Sequence, residues 1–342
     1  MSDQPNPPAP FPKREGGERQ SPSPLRGGVG EGFRPATVSV VMAAKNYARF
    51  LPAAVDSVCA QTFTDWELVV IDDGSTDHTP QAVKPYLADP RVRYFRSDRL
   101  GQPRAKNLGV GLARGEFIAY LDADDAWKPT KLEKQLALLR GKPEVGVCFC
   151  RRSLIDEAGN PLPGNDPPAP RGRVLPAIFL RNFVCFSSVV VRRHIFDHVG
   201  GFDPEWDLSI DYDLWLRAAR HTEFDYVDEE LVLYRTGHGN LSRRLADRVA
   251  TADAIMTRAV YRRGLGDELP RGVIGEGYAS TYRALGYTLR NSEPLTAAGW
   301  YLRALAWPGR RLEATRGLAA SLVAWAKGKR EPGAAENASI NR

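Results

Sequence analysis

The sequence predicts an α/β fold built on a mostly parallel sheet, and three observations carry that prediction. Short apolar runs recur from Val38, Glu67, Arg91 and Glu116. Each is followed by an amphipathic segment, and several of those segments open with proline, which a helix tolerates only in its first turn. Strands alternating with helices in this way form a parallel sheet covered on both faces.

Taken in order, "VSVVMAA" from Val38 is a buried-strand run. "RFLPAAVDSVCAQ" places Leu51, Ala54, Val55, Val58 and Cys59 on one helical face, with Pro52 in the first turn. "ELVVIDD" is the next strand, and Thr76 to Leu87 the next helix. "RVRYF" and "EFIAYLD" are the third and fourth strands, followed by the proline-started helices "PRAKNLGVGLA" and "PTKLEKQLALLR". Past residue 143 the alternation ends. "VGVCFC" and "VCFSSVVV" read as strands on either side of a Pro/Gly-rich loop (159–172), and "DYDLWLRAA" as a helix. From 243 the chain is helical. Tyr282, Leu285, Gly286 and Leu289, then Ala298, Tyr301, Ala304 and Pro308, follow the spacing of one tetratricopeptide hairpin. A single hairpin cannot build a solenoid, so a helical appendix is expected.

Residues 1–35 are dense in Pro, Gly, Ser and charge and bury too little apolar surface to offset ordering entropy. Disorder is expected there. "GGVGEG" (27–32) has no strand before it and no helix after it, which makes it a linker and not a phosphate loop. The expected division is a disordered tail (1–35), an α/β domain (36–242), a helical region (243–328) and a second disordered tail (329–342).

The chain has 342 residues, 43% of them hydrophobic, and a net charge of +6. That is ample for a core, and the basicity favours an anionic partner such as a nucleotide, a phosphate or a lipid surface. No nucleic acid is expected. The four cysteines lack a CxxC pair and read as reduced packing residues. "HIFDH" places His194 and His198 four apart, but lacks the Glu a zinc-protease motif requires. No apolar run approaches the roughly 18 residues that span a bilayer. The first residues lack the apolar core of a signal peptide, so a cytoplasmic location is expected. Arg310, Arg311, Arg316, Lys327, Lys329 and Arg330 flank the apolar "LAASLVAW", which makes the inner face of the plasma membrane an expected peripheral contact.

Two acidic clusters carry the chemistry. Asp72 and Asp73 end one strand; Asp122, Asp124 and Asp125 end another. In open parallel sheets ligands bind beyond the carboxyl ends of the strands, so both clusters point at one crevice. Helix capping accounts for one Asp at each place, not for five in all. Side chains at i and i+2 of an extended segment face the same way, so Asp122 and Asp124 converge. Paired carboxylates without a thiol or imidazole suit a hard octahedral cation, Mg²⁺ or Mn²⁺, shared with a diphosphate.

"VSVVMAAKNYARFLPAAVDSVCAQTFTDWELVVIDDGSTDHT", followed by "GQPRAKNLGVGLARGEFIAYLDADDAW", resembles the family 2 glycosyltransferases, from Val38 to Ser242. The resemblance implies a GT-A-type, Rossmann-like fold, a nucleotide-sugar donor and metal-dependent transfer to a glycan, lipid-linked or protein acceptor. Proline usually stands at the place of Ala43, and arginine at that of Lys106. By this resemblance Ala43, Ala44 and Asn46 line the nucleotide pocket. Asp73 meets the base with Asp72 beside it, Asp122 approaches the ribose, Asp124 holds the metal, and Lys106 contacts phosphate. In "GGFDPEWDLSIDYDLWLRAAR" the general base maps to Asp211, although Ile210 replaces the usual acidic neighbour and Asp213 competes for the role. "LYRTGHGNLSRR" resembles the closing segment of the family and offers His238 to the metal. The implied activity is inverting transfer, UDP-linked, in polysaccharide or cell-envelope synthesis. The alternatives are a nucleotidyltransferase, whose Gly/Lys/Arg-rich loop "AAKNYARF" does not supply, and a non-catalytic nucleotide-sugar-binding scaffold.

Overall fold

The computed structural model describes residues 36–164, 167–237, 245–307 and 310–328. Both expected tails and His238 lie outside the described residues. Strands β1 (Val38–Ala44), β2 (Trp66–Asp73), β3 (Val92–Ser97) and β4 (Phe117–Tyr120) pair in parallel in the order β3-β2-β1-β4. Helices α1 (Leu51–Cys59), α2 (Thr79–Val83) and α3 (Gln102–Leu112) lie between them in sequence, and α4 (Lys131–Gly141) follows the short β5 (Ala126–Trp127). Alternate residues of β1 feed opposite faces. Val40 and Met42 pack in one core with α1 and α4, whereas Val41 belongs to the other core and meets α3 at Gly109, where a Cβ would stand 2.4 Å from its side chain.

Beyond β4 the sheet becomes mixed. β6 (Val145–Ile155), with the two-residue β7 (Pro161–Leu162) at its end, pairs antiparallel with β8 (Val190–Arg192) and parallel with β9 (Glu223–Arg235). β8 joins β4 and β9 joins β5, both antiparallel. Helices α5 (Leu175–Leu180), α6 (Ile195–Val199) and α7 (Ile210–Ala218) complete this half.

The elements differ from expectation at three places, each with a local cause. The helix expected over Thr76–Leu87 is α2 followed by a 3₁₀ turn, Lys84–Ala88, because Pro85 has no amide to continue an α-helix. Of "VCFSSVVV" only Val190 and Val191 lie in a strand, β8. Phe186–Ser188 form a 3₁₀ turn whose serine hydroxyls donate to Asp125 and to the Cys185 carbonyl. Cys59, at the last turn of α1, is exposed, while Leu51, Ala54, Val55 and Val58 are buried.

The expected helical appendix is α8 (Leu245–Arg262), α9 (Leu265–Glu268), α10 (Arg271–Leu289), α11 (Pro294–Leu305) and α12 (Arg311–Gly328). Ile255, Met256 and Ala259 of α8 and Tyr278 of α10 share one buried core with α5 and α7. The α10–α11 hairpin closes on Tyr301, whose ring lies between Gly286 and Gly317; a Cβ there would stand 2.8 Å and 2.2 Å from it. Only glycine allows that approach. Gly317→Val should therefore cost roughly 1–3 kcal/mol through overpacking, read as a lower melting temperature and faster proteolysis within α12. An unchanged melting temperature would show that the ring can move aside.

Candidate functional site

Strand order reverses at β1, whose neighbours β2 and β4 lie on either side, and a cleft of about 410 Å³ opens at that switch point. Ala43, Ala44, Lys45 and Tyr47 line it from the end of β1, Asp73 from β2, and Gly101 and Gln102 from the start of α3. Asp122, Asp124 and Asp125 follow from β4, and Tyr234 comes from β9. Five expected residues, Ala43, Ala44, Asp73, Asp122 and Asp124, therefore meet in one place.

Asn46, Asp72, Lys106 and Asp211 do not line it. Asp72 and Asp73 are consecutive in a strand and must point to opposite faces. Asp73 faces the cleft and accepts hydrogen bonds from the Leu100 amide (2.5 Å) and the Gly101 amide (3.0 Å). Asp72 is fully buried and accepts from the Ser75 amide (2.8 Å) and the Tyr94 hydroxyl (2.6 Å). Asn46 adopts a left-handed turn (φ 61°), and its Oδ1 accepts from the Thr76 amide at 2.8 Å. It belongs to a polar seam between two strand-end loops. There the amides of Asn46, Tyr47 and Ala48 donate to Ser75, Thr79 and Asp77 at 2.9–3.0 Å.

Asp122 to Asp125 form a turn and not the extended run expected, with the Asp125 amide 3.1 Å from the Asp122 carbonyl. Lys106 is buried, its ammonium 2.9 Å from Asp122 Oδ1 and 3.6 Å from the Phe186 ring centroid. Both oxygens of Asp125 are engaged, by the Arg235 amide (2.8 Å) and the Ser187 hydroxyl (2.5 Å). Arg235 also donates from Nε to the Asp124 carbonyl at 2.8 Å. Burial first, then the Asp124 and Asp122 charges, push the Asp125 carboxyl well above its usual range. Burial and the same carboxylates push the Tyr47 phenol up, so it stays a neutral donor beside them.

Among the described residues no group of three or more His, Cys, Asp or Glu side chains is arranged to hold a metal by itself. The donor set fits the other mode of a hard cation, in which one or two carboxylates bind and substrate phosphates with water complete the shell. Asp124 and Asp122 both face the cleft, Asp122 with one oxygen on Lys106. Asp125 also lines the cleft, but both of its oxygens are spent on the protein.

Asp211, in the first turn of α7, accepts from Asn182 Nδ2 at 2.8 Å. The same loop carries Ser187, whose Oγ accepts from the Asp122 amide at 3.1 Å, so a short stretch of chain ties Asp211 to the acidic turn. Asp213 is built differently. It is buried between Arg217 (2.7 Å) and Arg263 (2.6 Å), and so joins α7 to the end of α8. His198 of α6 stacks on His221 at 5.9 Å. The sequence reading missed Tyr47, Tyr234, Ser187 and Arg235. Tyr47 adjoins the quoted strand end and was within reach of it. Tyr234 reaches the cleft, and Ser187 and Arg235 the acidic turn, only through strand pairing and loop closure.

A family model described as glycosyl transferase family 2 matches residues 39–200. An uncharacterized glycosyltransferase of Methanocaldococcus jannaschii is 32% identical over 213 residues, covering 60% of this chain and 73% of that one. The chain belongs to glycosyltransferase family 2. The chondroitin synthase of Escherichia coli is 29% identical over 209 residues, and this chain spans 30% of its length. Two solved structures share the fold. TarS 1–349 of S. aureus in complex with UDP-GlcNAc has a TM-score of 0.55 at 14% identity, covering 85% of this chain and 92% of that one. The mannosyltransferase PcManGT of Pyrobaculum calidifontis, in complex with GDP-Man and Mn²⁺, has a TM-score of 0.56 at 18% identity, covering 86% and 88%. Family 2 membership makes this chain a glycosyltransferase on a GT-A-type fold, with a helical region at its C-terminal end.

The Asp213 network yields a stability prediction. Asp213→Asn leaves Arg217 and Arg263 facing a neutral amide, at a cost of roughly 2–4 kcal/mol, below the value for a dry pair because Arg263 is 26% exposed. The melting temperature should fall by several degrees, while turnover per folded molecule stays within a few-fold of wild type. Loss of turnover in a fully folded Asp213→Asn protein would make Asp213 part of the chemistry.

Proposed function

We propose that this protein is an inverting glycosyltransferase that moves a sugar from a nucleoside-diphosphate donor, UDP-linked, to an acceptor hydroxyl. The acceptor is a glycan, a lipid-linked glycan or a protein, in polysaccharide or cell-envelope synthesis. The observation that carries this reading is the meeting of Asp73, Asp122 and Asp124 in the cleft at the switch point. The donor-bound complexes of the two similar folds support a nucleotide sugar as the ligand class.

In this reading Ala43 and Ala44 flank the nucleotide, Asp73 accepts a hydrogen bond from its base, and Asp122 meets the ribose. Asn46 and Asp72 shape the rim from behind. Lys106 holds Asp122 in place, having been expected at a phosphate. Asp124 holds a divalent cation, Mn²⁺ or Mg²⁺, with His238 as the further ligand that the sequence offers. When bound, the cation neutralises charge on the diphosphate. The acceptor hydroxyl attacks the anomeric carbon from the side opposite the diphosphate. One C–O bond forms as the bond to the diphosphate oxygen breaks, the anomeric configuration inverts, and Asp211 takes the hydroxyl proton. Asn182 orients that carboxylate through its 2.8 Å bond. The basic C-terminal helices rest on an anionic membrane at its cytoplasmic face. Among the described residues no helix is long and apolar enough to cross one.

Nucleotide release from a panel of sugar donors, with and without Mn²⁺, tests the activity. Asp124→Ala should abolish Mn²⁺-stimulated donor binding, because it leaves the diphosphate facing uncompensated acids. Undiminished turnover in excess EDTA would overturn the metal assignment. Asp211→Asn keeps size and hydrogen bonding but removes basicity, and should lower the rate of transfer ~10²–10⁴-fold with donor affinity within a few-fold. An active Asp211→Asn protein would place the base elsewhere.

A further inference from the structure

A second cleft, of about 590 Å³, lies in the helical region, away from the carboxylates. Its walls are α10 and α12, and Tyr301 of α11 also lines it. Three guanidinium groups line it: Arg283 and Arg290 from α10, and Arg316 from α12, with Tyr287 and Glu313 beside them. Arg283 is committed to the protein through Glu276 (3.2 Å) and Glu313 (3.6 Å), yet its buried Nη1 has no hydrogen-bond partner among the described residues. Among the described residues Arg290 and Arg316 have no carboxylate within ion-pair distance; Arg290 instead lies over the Tyr287 ring at 5.0 Å. With Glu276 and Glu313 both paired with Arg283, Arg290 and Arg316 leave the cleft positive. Guanidinium forks match phosphate oxygens.

Charge and apolar exposure concentrate in the same helices. Residues 283–328 hold seven basic and two acidic residues, which is five of the net six positive charges of the chain. Leu295 and Leu302 lie seven apart on α11, on one face that flanks its buried Ala298, and are 53% and 56% exposed. Leu312, Leu322 and Val323 are exposed on α12. A soluble anion would need the arginines alone. Cleft arginines together with exposed apolar side chains on α11 and α12 match a phosphate joined to hydrocarbon.

We propose that the cleft between α10 and α12 is a headgroup site for an anionic phospholipid, with Arg290 and Arg316 on the phosphate and the exposed leucines of α11 and α12 at the acyl boundary. It rests on the reading that these helices meet a membrane, and assigns that contact to a defined pocket.

The test uses the full chain in co-sedimentation with vesicles of phosphatidylcholine, alone or mixed with phosphatidylglycerol, beside a thermal-shift titration with inorganic phosphate. Wild type should bind only the anionic vesicles. Arg290→Ala/Arg316→Ala should lower partitioning by more than the roughly thirtyfold that two basic residues near an anionic surface contribute without a pocket. Its melting temperature and donor binding should not change. Arg311→Ala/Lys327→Ala removes equal charge outside the cleft and should cost several-fold less. Equal losses in the two variants would keep the membrane contact but overturn the pocket. No binding by wild type would overturn both. Stabilisation by phosphate without vesicle binding would give the cleft to a soluble anion and overturn the lipid.

Discussion

Three carboxylates within four residues repel one another, and much of the molecule is arranged to hold them. Two unit charges about 4 Å apart repel by about 4 kcal/mol at the effective dielectric of a protein surface. That cost is met locally, by different means at each group. Lys106 neutralises Asp122. Asp125 is wrapped by Ser187 and the Arg235 amide, in surroundings that favour its protonated form. Asp124 remains the acid at the mouth of the cleft whose main chain is clamped by Arg235 and whose position suits a cation brought in with a diphosphate. The acidic turn thus depends on a helix, a 3₁₀ turn and the last residue of a strand, all distant in sequence.

The same contacts couple the two halves of the domain. Asn107, one residue after Lys106, pairs its amide with both the carbonyl and the amide of Phe202, each at 2.8 Å. Ser187 ties the acidic turn to the loop that orients Asp211 through Asn182. The helix beside the cleft and the loop that leads to the proposed base are therefore fixed against each other. Holding reactants in register in this way is what lowers the entropic part of a transfer barrier.

The helical region is joined to this framework by charge as well as by apolar packing. Asp213 and Asp203 share Arg263 at the end of α8, and Asp203 also meets Arg258. Ser209, in a left-handed conformation (φ 53°) two residues before Asp211, donates to the Arg248 carbonyl of α8 at 3.3 Å. Contacts made by the appendix thus lie within a few residues of the proposed base.

The sequence alone was enough to determine the alternation of strands and helices, the placing of two acidic clusters at strand ends, and the α10–α11 hairpin around Tyr301. Each of these rests on local periodicity or on near neighbours, which the order of residues records directly. Strand alternation would also have separated Asp73 from Asp72, because consecutive side chains in a strand must diverge. Tertiary structure alone decided the rest. Asp211 and Asp213 are both acids in the first turn of one helix, and their different surroundings come from Asn182 on one side and Arg263 on the other. Ser187 and Arg235 reached the acidic turn from sixty and more residues away. Such contacts depend on which strands pair and how loops close over them. That is set by burial summed over the whole sheet, and no short stretch of sequence carries it.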